Sequence, residues 1–370
     1  MPRTKKMASS DLLLEVAKLR FESGLSNQEI ARRLGIGTKQ VASLLESAVT
    51  WLIAEHRRLA RIESGEPAQQ VLEQSLRRKY AFLKNVTVIP AGKIETEEQY
   101  SDLIHRWAVQ AANYFEALIA SEDFRDENNI LNVSISGGEV HLEVMNSLDN
   151  HARPSVKFYA SAFLGRGMLG SFHIDPATNA TIGWTRSGRI PGHCVYGTLS
   201  PNDLDIRRTE PFNKRKEAVI ENLKLLADSE PVQTITEQLD KVTVAFAGLG
   251  MVVRPKGALR MREPTASRLL QESGIDPREL AADGAVGDLS YGFFDANGNE
   301  SKDWRFFLSA GHYSKHKGVE FYRRMVNEGK PVIFIGGPFK LPAIIAALKG
   351  RLFNVWFTDD ETARKVLAAG

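Results

Sequence analysis

Between Asn27 and Glu46 the chain reads NQEIARRLGIGTKQVASLLE. Four polar residues in its second half, Thr38, Lys39, Gln40 and Ser43, are of the types that hydrogen-bond to base edges in a DNA major groove. Arg32 and Arg33, just upstream, suit the phosphates of the backbone. That chemistry works only if one helix presents the polar residues outward and a second helix holds it in place, and the spacing meets both needs. Ala31 is small where two helices cross, and Gly35 accepts the positive φ of a tight turn. Ile30, Leu34, Ile36, Val41 and Leu44 furnish a shared apolar interior. A helix-turn-helix is expected, with its reading helix starting near Thr38. Lys39 is the lone cation on that helix, so firm binding needs more than one copy on the DNA, and a homo-oligomer, dimer or tetramer, is expected.

Charge is distributed to match. Residues 1–84 carry 15 Lys and Arg against 9 Asp and Glu, whereas the remaining 286 carry 33 against 36. A polyanion therefore has its natural site in the N-terminal part. Leu45, Ala48, Leu52 and Leu59 continue at helical steps behind the reading helix, as a stripe that faces either a partner or the domain core. Arg57, Arg58 and Arg61 form either a solvated face or a further DNA contact.

With 370 residues the chain has room for two or three folded units. Its 43% hydrophobic and 25% charged content excludes disordered, collagenous and membrane classes. No apolar run is long enough to span a bilayer, and Cys194 is the single cysteine, which rules out an intrachain disulfide and a cysteine-based zinc site. A cytoplasmic protein with no membrane partner is expected. Three regions separate on pattern: a helical unit over 1–62, a linker and connecting helix over 63–84, and a domain over 85–370 in which short apolar runs alternate with helices. The linker is the polar stretch ESGEPAQQ, and the connecting helix begins at Val71. Strands are expected at Val86–Ile89, Ile130–Ile135, Ser155–Phe163, Cys194–Leu199, Val242–Phe246, Val332–Ile335 and Asn354–Phe357, building a largely parallel sheet of α/β class. Glycines gather at the strand ends, at Gly137 and Gly138, Gly165 and Gly167, Gly248 and Gly250, and Gly336 and Gly337. In an open α/β sheet the carboxyl ends of the strands form the ligand crevice, so these turns point to one pocket. Gly137 with Gly138, and Gly248 with Gly250, are expected to expose backbone N–H groups beside helix starts, which suits an anion.

The stretches DGAVGDLSYGFFDAN (Asp283 to Asn297) and VIFIGGPFKLPAIIAA (Val332 to Ala347) are the most distinctive in the chain. With VWFTDDETARKVL, FAGLG and the order of helix-turn-helix, linker helix and α/β domain, the sequence resembles the SorC (sorbitol-operon regulator) family of bacterial transcriptional regulators over nearly its whole length. The resemblance implies a Rossmann-like, phosphosugar-isomerase-like effector domain that binds a sugar or sugar phosphate and thereby alters the DNA affinity of an oligomer, with no cofactor. It implies that Asp288 and Lys340 line the effector pocket. Their chemistry agrees, since a carboxylate accepts sugar hydroxyls and a lysine offers a cation to a phosphate, carboxylate or hydroxyl.

Three departures from the family pattern bear on the ligand. Its first strand usually ends in a Gly-x-Thr or Gly-x-Ser turn that holds a phosphate, but here the turn reads Ser136, Gly137, Gly138, Glu139, Val140. Glu139 puts a negative charge where a phosphate is expected, and the hydroxyl has to come from Ser134 or Ser136. The segment from Phe158 to Ser200 is longer and more polar than the family leads one to expect, with Arg166, His173, Asn179, Trp184, Arg186 and Arg189 available to a pocket or to the surface. The glycine-containing wing usual after the reading helix is not evident in AVTWLIAEHRR. Two other functions fit the same α/β pattern. A sugar-phosphate isomerase or deaminase needs a general base, for which Asp288, Glu139, His141 and His312 are candidates without a defining spacing. An assembly protein would use the helix-turn-helix only to dimerise. No H-E-x-x-H metal motif and no phosphate-binding G-x-x-x-x-G-K-[ST] loop occurs, and an isomerase has no need of the helix-turn-helix, so a non-enzymatic regulator is the expectation.

Overall fold

The structure, a computed structural model, describes residues 10–21, 23, 25–45, 47–48, 67–121, 123–148, 156–160, 180, 183, 211–227, 239–253, 275–301 and 318–369. The chain divides into two compact units, Met1–Gln70 and Val71–Gly370.

In the first unit α1 (Ser10–Phe21) and α2 (Asn27–Leu34) precede α3, helical over residues 38–45. A capping box starts α2. Ser26 Oγ accepts from the Glu29 N–H, and the Glu29 carboxylate accepts from the Ser26 N–H at 2.7 Å. The helix stops at Gly35, whose φ of 65° lies in the left-handed region that a side chain strains. Leu13, Val16, Ala17 and Leu19 then bury against Ile30, Ala31, Val41, Leu44 and Ala48, with Leu34 and Ile36 at the margin of this cluster. This is the interior expected from the spacing. Replacing Ser26 with Ala removes the cap oxygen and should cost about 1 kcal/mol. Urea denaturation followed by circular dichroism reads the loss, and an unchanged midpoint would show the cap to be idle.

The helix α4 (Pro67–Lys79) runs across the boundary into the second unit and begins earlier than the expected Val71, inside the stretch read as linker. Pro67 explains the shift, because its fixed φ and missing N–H fit the first turn of a helix. Six parallel strands follow: β1 (Asn85–Ile89), β2 (Leu131–Ile135), β3 (Val156–Ala160), β4 (Val244–Ala247), β8 (Val332–Ile335) and β9 (Val355–Asp359). Their order is β1-β9-β8-β4-β2-β3. The helices α5 (Glu97–Ala120), α6 (Glu139–Asn146), α7 (Phe212–Ala227), α8 (Pro277–Ala282), α9 (Val319–Asn327), α10 (Leu341–Lys349) and α11 (Asp360–Ala368) complete the unit. The expected strand at Cys194–Leu199 lies outside the described residues.

Alternation along each strand feeds two cores. Val244, Phe246, Ile333, Ile335, Val355 and Phe357 join Trp107, Phe115, Val144 and Met145 of α5 and α6 on one face. Ala245, Ala247, Val332, Phe334 and Trp356 join Phe321, Met325, Ile344 and Ala347 of α9 and α10 on the other. With both faces covered, β4, β8 and β9 are buried along their whole length, and this is why they read as continuous apolar runs in the sequence. One element was not anticipated. Strands β5 (Leu249–Met251), β6 (Gly287–Leu289) and β7 (Gly292–Phe294) form a separate antiparallel sheet in the order β5-β6-β7. Three-residue strands are too short to carry a detectable period. Among the described residues no helix is long and apolar enough to cross a membrane.

Candidate functional site

The chain lays β3 outside β2, returns to place β4 on the other side of β2, and extends from there through β8 and β9. The direction reverses between β2 and β4, where a doubly wound sheet opens a crevice at its carboxyl ends. Ser136 leaves β2 at this point, and Gly248 leaves β4. A Cβ on Gly248 would stand 2.6 Å from Ser136 Oγ and 3.6 Å from His141 Cε1, so the absent side chain lets these three groups meet. Ser136 and His141 are buried.

Asp288 lies in β6 opposite Gly250 of β5. A Cβ on Gly250 would overlap the Asp288 carboxylate, so this glycine clears space for it. The expectation that Gly248 and Gly250 expose free amides at a helix start is therefore corrected: the segment continues into a strand, and the Gly248 N–H donates to Ser290 Oγ at 3.3 Å. Ser290 and Tyr291 turn the chain with φ of 47° and 70°, which brings the Tyr291 N–H within 3.1 Å of Asp288 Oδ2.

Lys340 arrives from the glycine turn after β8. Trp356 Nε1 donates to Gly336 O at 3.0 Å and pins that turn, and Phe339 adopts a φ of 69° just before α10 begins. Lys340 is half-buried with its ammonium turned inward, donating to Leu249 O at 2.7 Å. Burial pushes the Asp288 carboxyl up to about 6, against the opposing pull of the Tyr291 N–H and the Lys340 charge. Burial likewise lowers the Lys340 ammonium, while Asp288 raises it. The two residues that the family resemblance singled out are thus brought together and share one electrostatic environment.

Gly138, with φ of 102°, precedes the first turn of α6, as expected, and Glu139 is exposed in that turn. His141 lies one step further along. Its Nδ1 is 2.8 Å from Gly137 O, and burial holds its imidazole down at about 4, so the ring is neutral near pH 7. Asp359 ends β9 beside Gly337, whose missing Cβ again makes room, here for the carboxylate. Tyr100 packs edge-on to Phe339 at 6.2 Å, and its hydroxyl is raised by burial and by the charges of Glu139 and Asp359. Tyr100 and Asp359 escaped the sequence reading as pocket residues. Asp359 had a usable signal, since it stands at a strand end like the glycines. Gly165, His312 and the Arg166 to Arg189 group lie outside the described residues. Among the described residues no cluster of His, Cys, Asp and Glu is arranged to hold a metal ion.

Asp288 and His141 make stability depend on pH in opposing ways. Asp288 keeps a proton in the folded state that the unfolded chain releases, so its contribution favours folding at low pH and is lost as pH rises through about 6. The depressed His141 contributes stability above its ordinary 6.5 that is lost as pH falls toward about 4. Asp288→Asn removes the first contribution and leaves the second. Its melting temperature should therefore fall more steeply than the wild type's between pH 7 and about 4.5, a difference on the order of 2 kcal/mol. Parallel profiles would contradict this.

In the helical unit, Arg32, Arg33, Thr38, Lys39, Gln40 and Ser43 are all exposed, while Val41 and Leu44 between them are buried. The α3 helix therefore presents Thr38, Lys39, Gln40 and Ser43, with Ala42 among them, away from the core. Arg57, Arg58 and Arg61 lie outside the described residues.

Residues 218–368 match the family model for a "Putative sugar-binding domain". Over 369 residues the chain is 22% identical to the deoxyribonucleoside regulator of Bacillus subtilis, covering 99% of both proteins. It is similar in structure to the full-length sorbitol operon regulator SorC of Klebsiella pneumoniae, with a TM-score of 0.57, 20% identity, and 98% and 100% of the two chains covered. A DeoR family transcriptional regulator from Listeria monocytogenes superposes with a TM-score of 0.57 at 17% identity, over 81% of this chain and 99% of the other. The folds of both the helical unit and the α/β unit are shared with the full-length SorC structure, and the resemblance drawn from the late motifs is borne out.

Proposed function

We propose, for this SorC-like sugar-binding transcriptional regulator, that the helix-turn-helix reads an operator half-site and that the crevice beside Asp288 and Lys340 binds a carbohydrate-like effector that changes operator affinity. One observation carries the effector half of the reading. A buried carboxylate and an inward-turned ammonium, with a glycine cleared for them, stand at the reversal point of a parallel sheet. Desolvated charges are costly, and their retention at a ligand crevice marks a site with a task. Ser136, Gly137, Gly138, Glu139, Gly248 and Gly250 border the same strand ends and complete the proposed pocket. On the DNA side, Thr38, Lys39, Gln40 and Ser43 face base edges while Arg32 and Arg33 hold phosphates. The protein acts as a dimer or tetramer in the cytoplasm, because a reading face with so few cations needs symmetric copies to bind tightly. The α/β unit serves as a sensor and not as an enzyme.

A thermal-shift screen against sugars, polyols, sugar acids and sugar phosphates tests the reading. A ligand at a hundredfold excess over its Kd should stabilise the protein by about 2.7 kcal/mol. Failure of every compound to protect would remove carbohydrates as the effector class.

A further inference from the structure

Two polar groups near the strand ends have a definite hydrogen-bonding sense. The contact of His141 Nδ1 with Gly137 O fixes the tautomer, because a carbonyl only accepts and the proton must sit on Nδ1. Nε2 is then a bare lone pair. It is sealed from solvent and, among the described residues, has no hydrogen-bond partner, on a residue only 4% exposed. Asp359 repeats the pattern: Oδ1 accepts from the Thr362 N–H at 2.8 Å, while Oδ2 is buried and, among the described residues, without a hydrogen-bond partner, on a residue 1% exposed. Thr358 Oγ1 beside it is also buried and unmatched, and as a hydroxyl it can accept or donate. Nε2 is therefore an acceptor waiting for a donor, and so is Oδ2 in the ionised carboxylate, against which burial works; a buried acceptor left unmatched costs about 1–3 kcal/mol.

The surrounding charge has the same sense. Glu139 occupies the helix N-terminus that would otherwise favour an anion, and its charge reaches Tyr100 together with that of Asp359. Asp288 adds a third carboxylate beside the Lys340 ammonium, one of whose three donors is given to Leu249 O. A phosphate dianion brings acceptors and negative charge to a place that offers the same. A hydroxyl brings the missing donor.

We propose that the effector is an unphosphorylated, hydroxyl-rich molecule, a free sugar or polyol, whose hydroxyls donate to His141 Nε2 and Asp359 Oδ2, and that its phosphate esters are excluded. This rests on the reading of the α/β unit as a carbohydrate sensor. The test is calorimetry on the full chain with glucose, ribose, deoxyribose, fructose and glucitol, each beside its terminal phosphate ester. In the pair that binds, the free compound should bind at least about tenfold more tightly than the ester, the scale of one mismatched buried polar contact. An ester that binds equally or better overturns the proposal and leaves the sensor reading intact. No binding by either member of any pair overturns both. His141→Phe, which keeps the edge contact with Phe246, and the isosteric Asp359→Asn should each lose about tenfold in affinity for the free compound. Wild-type affinity in whichever of these variants folds removes that atom from the site.

Discussion

A Lys340→Met protein is expected to fold and bind operator DNA yet to hold its effector about a hundredfold more weakly, the value of one charge-assisted hydrogen bond in a desolvated site. The loss exceeds that of one neutral hydrogen bond because two groups fall silent together. Burial already lifts the Asp288 carboxyl to about 6 with the Lys340 charge nearby to oppose it. Without that charge the carboxyl rises further and is protonated at neutral pH, so the pocket loses its cation and an anionic acceptor in one change. Protonation also spares the variant the large penalty of an unpaired buried charge, so its melting temperature should change little. Asp288→Asn should weaken binding as well, and the double variant should lose less than the sum of the two, as expected for residues that act as a pair. Gly250→Ala provides a control that keeps both charges: its new methyl group must displace the Asp288 carboxylate, and effector binding should fail with it. Calorimetry on the four proteins reads these outcomes, and wild-type affinity in Lys340→Met would take the lysine out of the pocket.

The other large effect belongs to the helical unit. Lys39→Ala with Gln40→Ala should lower operator affinity by at least about a thousandfold, because each good base contact is worth about 1–3 kcal/mol and both changes repeat in every half-site of a symmetric complex. Both side chains are exposed, and the core residues Val41 and Leu44 are untouched, so the fold should survive. Effector affinity should be unchanged. Arg32→Ala and Arg33→Ala should behave differently, weakening binding to every sequence alike and lowering the slope of log affinity against log salt by about one for each phosphate no longer neutralised. Fluorescence anisotropy on operator and scrambled duplexes separates the two classes, and full operator affinity in the double variant would displace the reading helix from residues 38–45.

The helix-turn-helix was legible in the sequence because it is built from local rules. Ala31, Gly35 and Val41 each obey one, and the structure uses all three in the crossing, the turn and the core. The parallel sheet was legible for a different reason: strands buried on both faces leave unbroken apolar runs such as Val332–Ile335. The site was legible only in part. Gly250 looked like a turn glycine, and its service to Asp288 depends on an antiparallel pairing between segments far apart in the chain. The lone pair of His141 was hidden because a tautomer is set by the carbonyl it meets, and Gly137 O is placed by tertiary structure. Tyr100 reaches the pocket from α5 across the sheet end, with no signal in its own neighbourhood.

Effector binding and DNA binding should be coupled within this one chain. Selecting duplexes from a random pool supplies an operator, and its Kd can then be measured at fixed salt without and with the carbohydrate that protects the protein in the thermal screen. Operator affinity should change by at least about fivefold in either direction, the lower end of ordinary allosteric coupling, with the same factor appearing in effector affinity when operator is bound. Operator affinity that stays constant at saturating effector would contradict it.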